Sequence, residues 1–291
     1  MQPRTIMTYL CDGIPSGVRT VEFSNRLIKG IAIPRKDLKN LDLKEKDYSG
    51  IYFLIWENEE GDDLAYIGQA TNLKKRLLEH YNNTSKDFWN LAIAFTYKDW
   101  SLTESDINYL EKELICLAKK VDRYKIQNST NWNTGLIQDY RIPDMQEFIE
   151  DLKVLLANLW VPVLKDLIDK KTNKVGLSKY YLTARGAKAE WIYTEEGFLV
   201  LKWSTWPLEL ISAARNNSRY YATRHRPKLL QQGIIKEQWR EIVFLKDSLF
   251  SSPSSASSFI LGRGSNGRKD WKMKDGKTLD EMERGGVNLI I

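Results

Sequence analysis

The sequence predicts an α+β protein built from two domains. Three observations carry that reading. The chain has 291 residues, 42% of them hydrophobic, which is enough apolar material for two cores at a soft prior of roughly 150 residues per domain. Between residues 48 and 121, strand-like runs alternate with runs of helical period. Beyond Lys170 the pattern changes to the short strand-like runs KYYLT, AEWIY and GFLVLKW, with turn signals between them, so this part reads as a separate α+β unit.

From Thr5 to Arg35 the pieces TIMTYL, VRTVEF and GIAIPR, separated by DGIPSG and SNRL, read as a small β-rich arm. The charged connector KDLKNLDLKEKD leads to YSGIYFLIWE, whose aromatic and β-branched residues suit a buried strand. The acidic loop ENEEGDD and the strand LAYIG complete a hairpin. TNLKKRLLEHY is helical, with Leu73, Leu77 and His80 on one face and Thr71 or Asn72 as its cap. FWNLAIAFTY is a third strand.

A long helix follows from about Thr103 to Val121, opened by an approximate capping box of Thr103 with Asp106 and striped by Ile107, Leu110, Leu114, Leu117 and Val121. Another helix runs from Pro143 through EFIEDLKVLLANLW, with Pro162 marking a kink or end. In the Ser- and Gly-rich stretch DSLFSSPSSASSFILGRGSNGRKDW, the apolar FIL with Phe250 and Trp271 predicts a packed short helix and turns rather than low complexity.

The composition excludes disorder, collagen and a pure coiled coil. No stretch approaches the roughly 20 apolar residues of a membrane span, and MQPRTIMTYLCDG lacks the apolar core of a secretory signal, so a cytoplasmic location is the default expectation. Cys11 and Cys116 lack CxxC spacing and have only His80 and His225 to join them, so neither a disulfide framework nor a structural zinc site is expected. The net charge is +6, and between Lys202 and Arg240 eight Lys and Arg face two Glu. That concentration fits a phosphate-rich partner, or equally a solvated Lys and Arg face.

Arg76 and His80 lie four residues apart, on the same helical face as Leu73 and Leu77. A wheel at about 100° per residue with Ile107 as origin places Glu111 at about 40°, inside the apolar stripe. An inward carboxylate must find a cation, either Arg76 in a plain salt bridge or a divalent metal. Tyr52 and Tyr66 sit in Gly50-Ile51-Tyr52 and Tyr66-Ile67-Gly68, a mirrored pair around the hairpin loop. Taken alone, two strand tyrosines read as core aromatics.

Together these pieces resemble the GIY-YIG nuclease family. GIY is Gly50 to Tyr52 and YIG is Tyr66 to Gly68. The family's helix arginine matches Arg76, ten residues after Tyr66, and His80 follows four later. The family's metal-binding Glu heads an ExxLI pattern, here Glu111 to Ile115, and its later Asn matches Asn128. Phe198 to Ser204, Arg226 to Gly233, FSSPSSASSFILGRGSNG and DGKTLDE resemble a C-terminal domain of uncharacterised function that follows such modules in bacterial and phage proteins. Two features depart from the pattern. The 13 residues between Tyr52 and Tyr66 make a longer, acidic interval able to screen DNA phosphates near the cleft, and Trp203 stands where that domain more often has Gly.

The resemblance implies a three-stranded antiparallel sheet flanked by helices. It also implies a metal-dependent DNA endonuclease, with Glu111 holding one Mg²⁺ or Mn²⁺ and Arg76 clamping phosphate oxygens. Tyr52 would be the general base or its relay, Tyr66 and His80 would orient water or phosphate, and Asn128 would hold part of the site. The expected division is an arm and connector over 1–47, the nuclease domain over 48–140, a helical linker over 141–170 and the C-terminal α+β domain over 171–291. Duplex DNA is the expected partner, contacted by Lys74, Lys75, Arg215, Arg219, Arg224 and Arg226. Aromatics such as Trp203, Trp206, Tyr220 and Tyr221 are candidates for target choice, with core packing as the alternative. A homodimer or protein complex is compatible with this reading. The competing readings are a non-cutting nucleic-acid-binding module and a subunit that cuts only within a complex.

Overall fold

The computed structural model describes residues 3–40, 48–83, 88–128, 137–166, 178–194, 196–209 and 221–285. The chain divides into two compact units, Met1–Asp166 and Leu167–Ile291.

The first unit is organised by the strand GIYFLIWE, β4 (Gly50–Glu57), which is apolar on both sides from Ile51 to Trp56 and is buried on both faces. It pairs antiparallel with β5 (Asp63–Ala70) on one side and β6 (Leu91–Tyr97) on the other. This is the expected three-stranded core. The sheet does not stop there, because β3 (Ile28–Pro34) pairs with β6 along its whole length, from Ile28 opposite Tyr97 to Pro34 opposite Leu91. β2 (Arg19–Phe23) and β1 (Ile6–Leu10) follow, and β7 (Lys125–Ile126) adds a short parallel rung beside β5. The result is a seven-stranded sheet of order β1-β2-β3-β6-β4-β5-β7.

Residues 1–47 are therefore no appendage where they are described: their strands complete the edge that β6 would otherwise expose. The expected linker over 141–170 is also corrected. Its helix α3 (Ile142–Asn158) sends Met145, Phe148, Leu152, Leu155 and Leu156 into the main core, because its apolar stripe has no stable alternative to burial there. Arg4 at the start of the chain donates to the buried carboxylate of Asp151 on α3 at 2.9 Å, tying the first strands to this helix.

Strand alternation separates two apolar layers. Ile51, Phe53 and Ile55 face α2 (Glu104–Val121) and α3, while Tyr52, Leu54 and Trp56 belong to the layer that includes Leu73 and Leu77 of α1 (Leu73–Asn82). Asn72 caps α1 by accepting from the Lys75 amide. Thr103 and Asp106 form a complete capping box on α2. These caps fix where Arg76, His80 and Glu111 begin their turns, and so fix where their side chains emerge.

In the second unit, β8 (Lys179–Leu182), β9 (Ala189–Thr194), β10 (Gly197–Val200) and β14 (Ser248–Phe250) form a four-stranded sheet in the order β14-β10-β9-β8. β11 (Thr205–Pro207), β12 (Ile235–Gln238) and β13 (Glu241–Phe244) form a three-stranded one. Helices α4 (Tyr221–Gln231), α5 (Pro253–Leu261), α6 (Gly267–Asp270) and α7 (Leu279–Gly285) complete it, with Trp191, Trp206, Phe244, Phe259 and Trp271 in the core. The expected short helix is α5, whose Ser252 and Ser255 make a capping box and whose Gly262 closes it in the left-handed region. Trp203 adopts φ 69°, the backbone region in which glycine is at ease, which carries a strain cost for a tryptophan.

Candidate active site

Tyr52 and Gly68 face each other across the β4–β5 pair. The phenol crosses the bare glycine and ends against His80, with Tyr52 Oη 2.7 Å from His80 Nε2. Tyr66, two residues before Gly68 and thus on the same face, brings its ring 6.2 Å from that of Tyr52 and 5.6 Å from His80. Three rings contributed by β4, β5 and α1 therefore touch one another. Tyr52 is 1% exposed and His80 3%, while Tyr66 is half-buried.

Arg76, one turn before His80, points its Nε toward Tyr52 Oη at 3.4 Å and pairs through Nη1 with Glu79 at 2.9 Å. Burial pushes the Tyr52 phenol well above its ordinary value and the neighbouring Tyr66 pushes it further, against the hydrogen bond and charge of Arg76. Hydrogen bonds to Glu79 and Tyr52 hold the guanidinium firmly in its charged form.

Glu111 arrives from the other face of the sheet, on α2, half-buried as its position on the wheel implied. Its route is clear from the edge of β5. β7 covers that edge only at Leu64 and Ala65, and Gln127 N donates to Ala65 O. The next backbone groups on that edge belong to Ile67. Asn128 satisfies both, accepting from Ile67 N at 3.0 Å and donating to Ile67 O at 2.6 Å. The following amide, Gln69 N–H, hydrogen-bonds Glu111. Asn128 thus acts as a substitute strand residue, and Glu111 occupies the next rung. Desolvation raises the Glu111 carboxyl above its ordinary value, against the Gln69 amide and the charge of Arg76.

Of the two cations weighed for Glu111, Arg76 spends its ion pair on Glu79, leaving the Glu111 oxygens as hard donors. Among the described residues no group of three or more His, Cys, Asp or Glu could hold a metal. An ion held by the Glu111 carboxylate would keep most of its water. That fits Mg²⁺ or Mn²⁺ in an oxygen site and does not fit a closed zinc site.

The structure brings Tyr52, Tyr66, Arg76 and His80 together, places Glu111 within electrostatic reach of Arg76, and assigns Asn128 to the support of β5. Sequence reading missed Glu79, although its i,i+3 spacing from Arg76 was a signal. It also missed the Gln69 to Asn108 amide pair at 3.1 Å, one turn before Glu111 on α2, for which the sequence held no signal. Lys74 and Lys75 line a shallow depression on α1 with Asn72 and Asn82.

In the second unit Arg224 is exposed, whereas Arg215, Arg219 and Tyr220 lie outside the described residues. One expectation is corrected there, and of the two readings left open for Trp206 the structure shows core packing. Arg226 is buried and donates to the carbonyls of Leu208, Phe259 and Ile260 at 3.3, 3.0 and 3.3 Å, so its charge serves the core and offers nothing to a phosphate. Trp206 is fully buried beside it. Trp203 is exposed at 67%, and Trp239, which the sequence did not single out, at 95%.

Residues 48–125 match the model of the GIY-YIG catalytic domain, and residues 180–283 match that of a domain of unknown function, DUF4357. The chain thus carries a GIY-YIG catalytic domain followed by this C-terminal domain, and the first match includes Tyr52, Tyr66, Arg76, His80 and Glu111 but not Asn128. No curated protein and no solved structure matches the chain. No helix among the described residues is long and apolar enough to cross a membrane.

Proposed function

We propose that this chain, with its GIY-YIG catalytic domain, is a divalent-metal-dependent DNA endonuclease that hydrolyses phosphodiester bonds. The observation that carries the reading is the convergence of Tyr52, Tyr66 and His80 in one ring contact, with Arg76 beside it and Glu111 at the edge of the same strand. A degenerate binding module has no need to keep all five in register.

Glu111 would hold the ion, which when bound supplies positive charge for the phosphoryl oxygens in the transition state. Arg76 adds a fork for the non-bridging oxygens. Its present partner Glu79 does not prevent this, since an exposed pair of this kind contributes about 0–1 kcal/mol and a phosphate replaces it readily. Tyr52 is a poor base by itself, because burial disfavours its phenolate. It works best as a relay: Oη takes a proton from the attacking water while passing its own to His80 Nε2, so no free phenolate forms. Tyr66 orients the water, and Asn128 holds β5 so that Tyr66 and Gly68 stay in place.

Such a site reads backbone rather than sequence, so target choice belongs to the C-terminal domain, where Arg224 and the exposed Trp203 and Trp239 offer charge and stacking surface. Supercoiled plasmid incubated with Mg²⁺, Mn²⁺ or EDTA, beside Glu111→Ala and Tyr52→Phe, tests the proposal. Metal-dependent nicking that both variants lose supports it. Binding without cutting on duplex, single-stranded and branched DNA moves the non-cutting module or the complex-dependent subunit to the front.

A further inference from the structure

The face of the sheet that carries Tyr52 continues into an apolar groove of about 380 Å³, lined by Leu54, Trp56, Leu64, Tyr66, Phe88 and Gln127. Cross-strand pairing sets its order: Tyr52 opposite Gly68, then Leu54 opposite Tyr66, then Trp56 opposite Leu64. At roughly 3.4 Å per strand residue, Leu54 and Trp56 lie about 7 and 14 Å along β4 from Tyr52. Tyr66 therefore belongs to both the ring cluster and the groove. Phe88 covers Trp56 with ring centroids 4.4 Å apart and is itself 47% exposed. Gln127 is exposed at the rim and offers an amide donor and acceptor.

Charge decides what can lie there. Glu57 and Asp63, the next cross-strand pair beyond Trp56 and Leu64, turn to the opposite face of the sheet, and none of the residues that line the groove is a cation. A phosphate finds no counter-charge among those lining residues, whereas a neutral planar ring finds aromatic surface. The volume lies within the range of roughly 300–1,000 Å³ usual for small-ligand sites.

We propose that the groove receives one nucleobase of the strand being cut, unstacked from its neighbours, with its ring against Phe88 and Tyr66 and its edge toward the Gln127 amide. This deepens the endonuclease reading and rests on it. Phosphates would stay near Arg76, and the base would turn into the groove and anchor the strand in register with the site.

The test compares a fluorescein-labelled short single strand with a strand of equal length and charge made entirely of abasic nucleotides. Both are bound by the full chain in EDTA and read by fluorescence anisotropy. Phe88→Ala should weaken binding of the base-bearing strand about tenfold and leave the abasic strand unchanged, and Phe88→Trp should restore it. Thermal melting confirms that the half-exposed Phe88 can be replaced without unfolding. If Phe88→Ala weakens both strands alike, or neither, the groove assignment is wrong. Should that happen while wild-type chain still nicks plasmid with Mg²⁺, the groove alone falls. Should wild-type chain bind neither strand and cut nothing, the endonuclease reading falls with it.

Discussion

Tyr52 and Gly68 are a cross-strand pair in which one residue exists for the other: a Cβ built on Gly68 lies 2.4 Å from both Cζ and Oη of Tyr52. The phenol cannot retreat, because it is buried and hydrogen-bonded to His80. Gly50 is constrained in the same way, by the Phe95 carbonyl at 2.2 Å and by Leu73. The glycines at the two ends of the paired motifs are thus packing requirements of the site. Gly68→Ala should overpack it at a cost of about 1–3 kcal/mol. Displacing Tyr52 by the order of 1 Å should slow nicking about 100-fold. Plasmid nicking rates beside thermal melts measure both, and wild-type rates in Gly68→Ala would contradict this role.

Glu111 carries the opposite balance of activity and stability. Desolvation raises its carboxyl, so the folded chain keeps that proton to higher pH than the unfolded chain does. Its ionisation therefore subtracts stability as pH rises through the raised value. Glu111→Gln keeps an acceptor for the Gln69 amide and removes the charge. It should abolish metal-dependent nicking while melting no lower than wild type at neutral pH. Wild-type nicking should rise with pH through the same ionisation, since only the carboxylate holds the cation. A large drop in the Glu111→Gln melting temperature would show a structural role instead.

Arg224 and Arg226, two residues apart on α4, should respond in opposite ways. Burial lowers the Arg226 guanidinium to about 10, with Glu237 opposing, so it remains charged at neutral pH and holds buried carbonyls from α5. Arg226→Ala leaves those carbonyls without their donor and should cost about 3 kcal/mol of stability. Arg224→Ala should leave the melting temperature within about 0.5 kcal/mol equivalent, yet weaken DNA binding and flatten its salt dependence by about one unit of slope. Anisotropy titrations over a salt series, paired with melts, separate the two. A stable Arg226→Ala chain with impaired DNA binding would reverse the assignment.

What the sequence revealed were features decided within one element. The stripe of α2 placed Glu111 inward, the face of α1 grouped Leu73, Leu77 and His80, and the Thr103 and Asp106 pair marked a helix start. Each depends on spacings of three or four residues, which helical geometry fixes locally. What stayed hidden depends on partners far along the chain. β3 finds β6 about 60 residues later, Arg226 finds carbonyls at 259 and 260, and Trp206 is buried against Phe244 and Phe259. The basic count between Lys202 and Arg240 could not separate a buried guanidinium from an exposed one. Asn128 was found through resemblance, but its task became visible only when β7 proved too short to cover the edge of β5.

Asp106 shows how the helix that carries Glu111 is itself held. Its carboxylate is 1% exposed, accepts from the Thr103 amide at 2.9 Å, and takes a fork from Arg141, with Nε at 3.2 Å and Nη2 at 2.8 Å. Burial pushes this acid up, but the Arg141 hydrogen bonds and the Thr103 cap outweigh it and leave it below its ordinary value of 3.8. A depressed carboxylate contributes stability that is fully present above the unfolded value and is lost as pH falls through the folded one. Asp106→Asn keeps an acceptor for the cap and removes the charge that Arg141 requires, which should cost about 3 kcal/mol at neutral pH. The gap in melting temperature between wild type and Asp106→Asn should narrow as pH falls below about 3.8. A gap of constant size across that range would mean that the Arg141 pair contributes shape rather than charge, and that some other group sets the acid limit of this domain.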